Sequence, residues 1–346
     1  STFLAEKNVT SAIKSWPNLL DYYTCYTERF SMFDRLYSEP KEYFITVICF
    51  SNDFSTLPVF YGSKLLVVDR QSQLLTKYRW VPENPLIATS EENLKLEGQF
   101  LLSTDSITQA LQDAVVTVLL ASECHSDMDW LIDCLHLRPA PNSCPPLTIL
   151  LSWPSIKPTI NDKMSQVLDT VITVSNPTEA IELARPIIEV IMHNFMVAID
   201  YADVRMMFND HSLLIAKGGY SIASGSNRAE IAIEETLNTV GAFNAGDLVY
   251  VAIMAGYDLT LDEYSAICDH VDNNAKSSSV WVAGGCIFDP ILEKSNQIRV
   301  VLIVSSPTGS SKVLEDPIEY STTAGNNYES GQYLDTPDFL RKMTTN

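Results

Sequence analysis

Seven cysteines and five histidines are the side chains of this 346-residue sequence best suited to soft-metal or nucleophilic chemistry. One group gathers several of them: Cys124, His125, Cys134, His136 and Cys144. Thiolate and imidazole are zinc ligands, but zinc sites are built from spaced pairs such as CxxC or HxxxH, and the sequence has none. The group reads as unrelated residues around a helix. His193, His211 and His270 are isolated, and no Ser-His-Asp or Cys-His set stands out. Carboxylates come next. Glu123, Asp127 and Asp129 offer oxygen ligands of the kind that suit magnesium or calcium, although such a run is ordinarily solvated surface. Asp200 and Asp203 are three apart where a helix is expected to begin. At that spacing both can project to one side, and both favour a helix N-terminus electrostatically; either can equally serve as a cap.

Phosphate chemistry is limited by glycine. Of 13 glycines, only Gly62 and Gly98 precede residue 218, so residues 1–217 hold no GxGxxG or GxxxxGK loop. Such loops need clustered glycines for the backbone to approach the anion. The chain carries 43 acidic against 23 basic residues, a net charge of -20, which disfavours nucleic acid as a partner. No stretch reaches the roughly 18 apolar residues of a membrane span, and Ser1–Thr10 lacks the basic start and apolar block of a signal peptide. The cysteines (Cys25, Cys49, Cys124, Cys134, Cys144, Cys268 and Cys286) are odd in number and irregular in spacing. Reduced thiols, a cytoplasmic location and no direct membrane insertion are expected.

The elements that must position these groups follow from apolar patterning. Residues 1 to about 38 carry a helical stripe through Leu4, Ile13, Leu19, Leu20, Tyr23, Phe30, Phe33 and Leu36. Apolar runs then predict strands at Tyr43–Phe50, Lys64–Val68, Asp113–Ala121, Leu147–Leu151 and Asp169–Val174, with helices at Ser106–Leu111 and Met128–Leu137. Near-continuous apolar strands alternating with helices indicate a parallel sheet covered on both faces, a doubly wound α/β fold. Thr178–Phe195 has helical spacing with Pro186 as a kink. Beyond it, Gly218, Gly219 and Gly225 read as turns. Asn227–Thr239 reads as a helix capped by Ser226 or Asn227, and Thr260–Val271 as an amphipathic helix. Asp247–Met254, Val280–Ala283 and Ile298–Val304 read as strands, and Phe288-Asp289-Pro290 as a turn. This half is expected to be a smaller, two-layer α+β domain.

After Pro307 the sequence turns polar and aperiodic, the texture of a linker. Apolar residues return in the last fourteen. Thr336 is a good N-cap, Pro337 suits the first helical position and Asp338 the first turn; Arg341 and Lys342 follow at the C-terminal end. Tyr333, Leu334, Phe339 and Leu340 supply apolar anchors, so a short capped helix on a tether is expected to bind a partner.

Taken in order and spacing, Ala198–Val204 (AIDYADV), Gly225–Glu235 (GSNRAEIAIEE), Ala255–Tyr264 (AGYDLTLDEY), Phe288-Asp289-Pro290 and Ile298–Gly309 resemble the C-terminal half of FtsZ, the bacterial tubulin homologue of the division ring. The final YLDTPDFLRK resembles the FtsZ tail peptide that docks membrane adaptors of ZipA or FtsA type. The resemblance implies a tubulin/FtsZ-like fold. Its expected parts are an N-terminal extension (1–42), a degenerate nucleotide-binding-like domain (43–175), a central helix (176–197), an FtsZ-like C-terminal domain (198–309), a linker (310–332) and a partner-binding tail (333–346). On the tail the resemblance assigns Tyr333, Leu334, Asp335, Pro337, Phe339, Leu340, Arg341 and Lys342 to adaptor binding. Asp200 and Asp203 match the two acids with which this family polarises water at the nucleotide of a neighbouring subunit; the preceding Asn of the family pattern is Ala198 here.

The departures fall on the phosphate loops. The family's glycine-rich loop after its first strand is Ser51-Asn52-Asp53-Phe54-Ser55 here. Its GGGTGTG signature is Ser122-Glu123-Cys124-His125-Ser126-Asp127-Met128-Asp129, with no glycine and three carboxylates. Carboxylates at a phosphate site repel it strongly in a low dielectric. The expectation is therefore a division-ring component or regulator without GTP binding or any other cofactor of its own. It would engage FtsZ or itself head to tail, engage adaptors through its tail, and be recruited to the division site. The alternatives are an active but strongly diverged GTPase that polymerises and uses GTP, and a metal-binding module on the same fold.

Overall fold

The structure, a computed structural model, describes residues 45–50, 53–60, 62–81, 93–112, 114–122, 126–138, 146–153, 162–192, 201–208, 213–275 and 281–307. The expected N-terminal extension, linker and tail lie outside these residues, as does Asp200.

The strands form one eleven-stranded sheet. They are β1 (Ile45–Phe50), β2 (Lys64–Asp69), β3 (Leu74–Trp80), β4 (Leu94–Leu101), β5 (Val116–Ser122), β6 (Leu147–Trp153), β7 (Thr170–Thr173), β8 (Leu214–Ser224), β9 (Leu248–Ala255), β10 (Trp281–Phe288) and β11 (Gln297–Pro307). Their spatial order is β10-β9-β11-β8-β7-β6-β5-β1-β2-β3-β4. From β2 through β1, β5, β6 and β7 to β8 every pairing is parallel. At one end β2, β3 and β4 make an antiparallel meander. At the other, β11 lies antiparallel between β8 and β9, and β10 pairs parallel with β9. The parallel-dominated α/β architecture expected from the apolar runs is the one found. The pairing of β7 with β8, Thr170 to Leu214 through Thr173 to Lys217, carries the sheet from one half of the chain into the other.

Helices cover both faces. Helices α1 (Thr104–Ala110), α2 (Ser126–His136) and α3 (Asp162–Val167) cover one face of the parallel strands. There Ile107, Leu131, Ile132, Leu135 and Met164 pack on Ile48, Leu119, Leu150 and Val171. The opposite face receives α4 (Pro177–Met192) and α5 (Tyr201–Phe208). Ala180, Leu183, Ile187 and Val204 pack there with Val47, Val118, Ile149, Ala252 and Val301. Helices α6 (Arg228–Val240) and α7 (Leu261–Asn274) close the face of β8, β9 and β11 left bare by α4, while Leu292 of a short α8 (Pro290–Lys294) packs in the core on the α4 side. Successive residues of a strand alternate between these cores, as a pleat requires: Val47 and Cys49 enter one, Ile48 the other.

Helix α4 shows why its boundary holds. Asn176 accepts from the Glu179 N–H at 2.9 Å, Pro177 occupies the first turn where a missing N–H is harmless, and Glu179 reaches back to the Ser175 N–H at 2.6 Å. Pro186 lies inside the helix. Its carbonyl accepts a buried hydrogen bond from the Tyr250 hydroxyl at 3.0 Å, which ties α4 to β9.

Two local readings are corrected. Gly218 and Gly219 sit inside β8 instead of in turns. A Cβ on Gly218 would come within 2.2 Å of Leu183, and one on Gly219 within 3.0 Å of Thr239, so the pair lets α4 and α6 approach from opposite faces. Only Gly225, with φ +94°, is the turn residue expected. Asp289 is more than a turn residue: it caps α8, accepting from the Ile291 N–H at 2.9 Å with Pro290 behind it. Asn227 stands at the N-cap position of α6 without a side-chain capping bond.

Candidate functional site

In a doubly wound sheet ligands bind outside the carboxyl ends of the strands where the order reverses. Here that point lies between β1, which leads to β2 on one side, and β5, which leads to β6 on the other. The structure fills it from within. Asp53, three residues beyond the end of β1, places its carboxylate on Ser122, the last residue of β5. Oδ2 accepts from the Ser122 N–H at 3.1 Å, and Oδ1 from the Ser122 hydroxyl at 2.7 Å. The next residue, Phe54, sets its ring edge-on against Trp153 at the end of β6, with centroids 5.5 Å apart and planes at 77°. Beneath them Cys49 is buried, and burial together with the Asp53 charge pushes its thiol far above the ordinary range.

The carboxylates expected around residue 125 are mostly out of view. Glu123 lies outside the described residues, the side chain of Asp127 is not described, and Asp129 is exposed in the first turn of α2. Of the cysteine and histidine group, Cys134 is fully buried while His136 points to solvent, so these two diverge; Cys124, His125 and Cys144 lie outside the described residues. Among the described residues no three His, Cys, Asp or Glu side chains gather as metal ligands. Cys49, Cys134, Cys268 and Cys286 are free. Burial pushes the Cys268 thiol up to about 11 and Cys286 up to about 12, which leaves both unreactive.

The amino-terminal edge of the same strands holds a second polar cluster. Asp169, just before β7, accepts from the Thr148 N–H at 2.6 Å. Arg138 donates to the hydroxyls of Thr117 at 2.7 Å and Thr148 at 3.3 Å. Burial raises the Asp169 carboxyl to about 6, against the opposing pull of the Thr148 amide, Arg205 and Arg138. Helix α5 is fastened here, with the Thr170 hydroxyl donating to the Phe208 carbonyl at 2.5 Å. Asp203 is the third residue of α5, its side chain not described; Asp200 immediately precedes the helix in sequence and is outside the described residues. The tail residues Tyr333, Leu334, Asp335, Pro337, Phe339, Leu340, Arg341 and Lys342 are likewise outside them.

Two of the quoted sequence motifs converge on one side chain. Arg228, 3% exposed, uses every N–H of its guanidinium. It meets Asp258 at 2.6 Å, Glu263 at 2.7 and 3.2 Å, Asn296 at 2.8 Å and the Asp258 carbonyl at 3.2 Å. Glu263 also closes a capping box with Thr260 at the start of α7. Burial alone would raise the Glu263 carboxyl, but Arg228 and Thr260 hold it below its ordinary value. GSNRAE and AGYDLTLDE are thus joined as structure, with Tyr257-Asp258 in a turn and Leu261-Asp262-Glu263 opening α7.

Sequence reasoning read Ser51–Ser55 as a loop without glycine, and Ser122–Asp129 as a segment without glycine whose carboxylates could repel phosphate or hold a metal. It missed the bond between Asp53 and Ser122. The one signal was an acid three residues after an apolar strand, in a segment without glycine.

No family model matches the chain. FtsZ of Coxiella burnetii is 29% identical over 197 residues, covering 53% of this chain and 49% of that protein. FtsZ of Wigglesworthia glossinidia brevipalpis is 28% identical over 222 residues, covering 53% and 57%. The chain thus spans about half the length of the curated relatives it matches. Among solved structures, FtsZ from M. jannaschii superposes with a TM-score of 0.55 at 16% identity, over 81% of this chain and 96% of that one. An empty dimer of the same protein gives 0.55 over 81% and 92%. At that identity the likeness is one of fold: the architecture is FtsZ/tubulin-like.

Proposed function

We propose that this chain, a divergent FtsZ/tubulin-like protein, serves cell division as a ring component or regulator that binds no GTP by itself. The supporting observation is the Asp53 carboxylate seated on Ser122 at the β1/β5 crevice. A phosphate entering there must displace a carboxylate that already holds both donors, and residues 51–55 and 122–129 contain no glycine to bring backbone amides nearer. On this reading the crevice takes no nucleoside triphosphate and carries out no hydrolysis.

The proposed partner is FtsZ or a second copy of the chain, engaged head to tail. Asp203 of α5 and Asp200, which precedes that helix in sequence, would then act in trans on the nucleotide of the neighbour. A head-to-tail filament needs two different competent faces, so a subunit with one can end it. The tail is proposed to recruit adaptors of ZipA or FtsA type, from the cytoplasm to the division site. Among the described residues no helix is long and apolar enough to cross a membrane.

Calorimetric titration with GTP tests the reading, with no heat of binding expected; micromolar affinity would overturn it. The trans role is read separately. The Asp200→Ala, Asp203→Ala double variant is expected to change the GTPase rate of an FtsZ partner relative to the unaltered chain, and an equal rate with both would leave these acids structural.

A further inference from the structure

We propose that β4 is a docking edge for a second copy of this chain, the two β4 strands pairing antiparallel about a twofold axis at Leu96. This side-by-side contact stands apart from the head-to-tail contact above. β4 is the outermost strand of the sheet, and among the described residues it pairs only with β3. Such an edge presents a row of unpaired N–H and C=O groups that another strand can take up. Edges are ordinarily kept short or blunted by charge. This one is eight residues long and carries Leu96, Phe100 and Leu101 at 58%, 48% and 78% exposure. Among the residues of β4 only Leu94 packs against a core. Exposed apolar side chains gathered on one edge mark a contact site.

The placement of charge selects a second copy as the occupant. Opposed residues of β3 and β4 share a face: Tyr78 with Leu96, and Arg79 with Lys95. Glu97 is the extra residue of a bulge, since Tyr78 pairs with Leu96 and Lys77 with Gly98. Its carboxylate meets Lys77 at 2.8 Å and Arg79 at 3.8 Å, which puts it on the face of Lys95. With the axis at Leu96, the two leucines face one another and each Lys95 faces Glu97 of the second copy. Two opposite-charge pairs then flank an apolar centre, the cross-strand arrangement that stabilises a sheet. Moving the axis one residue, to Lys95 or to Glu97, would set like charges against each other. The bulge interrupts the ladder on either side of this centre, so the contact is short. Each chain's net charge of -20 opposes it until salt screens the long-range repulsion.

The test uses the full chain at physiological ionic strength. Sedimentation is expected to move from one chain mass to two as concentration rises. Leu96→Lys, which sets like charges on the axis, should weaken that association by about tenfold or more and leave the melting temperature of the single chain unchanged. Directly opposed residues of an antiparallel pair have Cα atoms about 4.5–5.5 Å apart, inside the reach of a disulfide, about 4.4–6.8 Å. Leu96→Cys should therefore cross-link two chains in oxidised glutathione. Leu101→Cys, the more exposed position, should cross-link no more than the unaltered chain. One chain mass at every concentration, a dimer that Leu96→Lys leaves intact, or equal cross-linking at positions 96 and 101 would overturn the proposal. So would amide exchange at β4 that is slow at every concentration, which would give the edge to another segment of the same chain. A chain that stays single, and loses an FtsZ partner in Leu96→Lys, would give the edge to that partner instead. None of these measurements depends on whether the chain binds GTP.

Discussion

Arg228 and Asp258 meet at 2.6 Å where the first turn of α6 faces the turn after β9, with Arg228 buried to 3% exposure and Asp258 a third exposed. The same guanidinium holds Glu263 and Asn296, so one side chain links α6, the start of α7 and the turn before β11. Removing it leaves two carboxylates facing one another with no counter-charge.

Arg228→Ala is therefore expected to destabilise the protein by about 3 kcal/mol, near the lower end for breaking a buried ion pair, because Asp258 retains solvent. Arg228→Lys should recover only part of this, since an ammonium cannot serve Asp258, Glu263 and Asn296 from one plane. Urea unfolding midpoints for the three proteins give the comparison.

Helix α4 and β8 touch at a glycine. Gly218→Ala would put a methyl 2.2 Å from Leu183 Cδ1, closer than atoms can pack, and should destabilise by about 1–3 kcal/mol. Leu183→Ala alone leaves a cavity in the core. Combining the two should be less destabilising than the sum, a coupling visible in a double-mutant cycle; strict additivity would mean the helix is free to shift.

Asp169 makes stability depend on pH. Burial raises its folded value to about 6, above the ordinary 3.8, so the folded state favours the protonated acid. Its contribution is fully present below pH 3.8 and is lost as pH rises through about 6. Asp169→Asn keeps an acceptor for the Thr148 N–H and has no charge to desolvate. It should raise stability by about 1–3 kcal/mol at pH 7 and little at pH 4. Thermal melts of both proteins across that range decide it, and parallel curves would remove Asp169 from the account.

Deleting residues 333–346 should leave the melting temperature of the folded part unchanged while abolishing adaptor binding. Within the tail, Phe339→Ala and Leu340→Ala should each weaken binding by roughly 1–3 kcal/mol, Thr336→Ala by about 1 kcal/mol, and changes at Arg341 and Lys342 should matter mainly at low salt. A synthetic peptide of this segment, titrated beside the full chain into ZipA-like and FtsA-like adaptors, supplies the measurement. Equal binding by the full and shortened chains would move the contact elsewhere.

Apolar runs identified the parallel strands because a strand buried on both faces reads as a continuous block: ITVICF, KLLVVD and LTILLSW are each almost wholly buried. The helix over Thr260–Val271 was equally plain from its apolar face, and its start is fixed by local bonds between Thr260 and Glu263. The meander escaped notice. LLTKYRW and LKLEGQFL mix charge with apolar residues, because β4 is an edge strand with most of its length in solvent. Gly218 and Gly219 were misread because their reason is a helix packed on each side of a strand, and those contacts come from residues 35 and 20 positions away. Asp53 and Ser122 are 69 positions apart, and no periodicity connects a loop acid to the last residue of a strand four strands further along the chain.

The placement of β11 has a consequence for synthesis on the ribosome. It sits between β8 and β9, with eleven residues paired to one and eight to the other. Those two neighbours emerge well before it, and without it they have nothing to share. Nascent β8 can still add to β7, and the parallel strands through β7 can close around their own helices. Nascent β9 and β10, with α6 and α7 beside them, must wait with one edge of β9 unpaired until Pro307 has cleared the exit tunnel. The last of the described strands is the one that joins the two groups, so a nascent chain stalled short of it would hold a finished first half and an open second one.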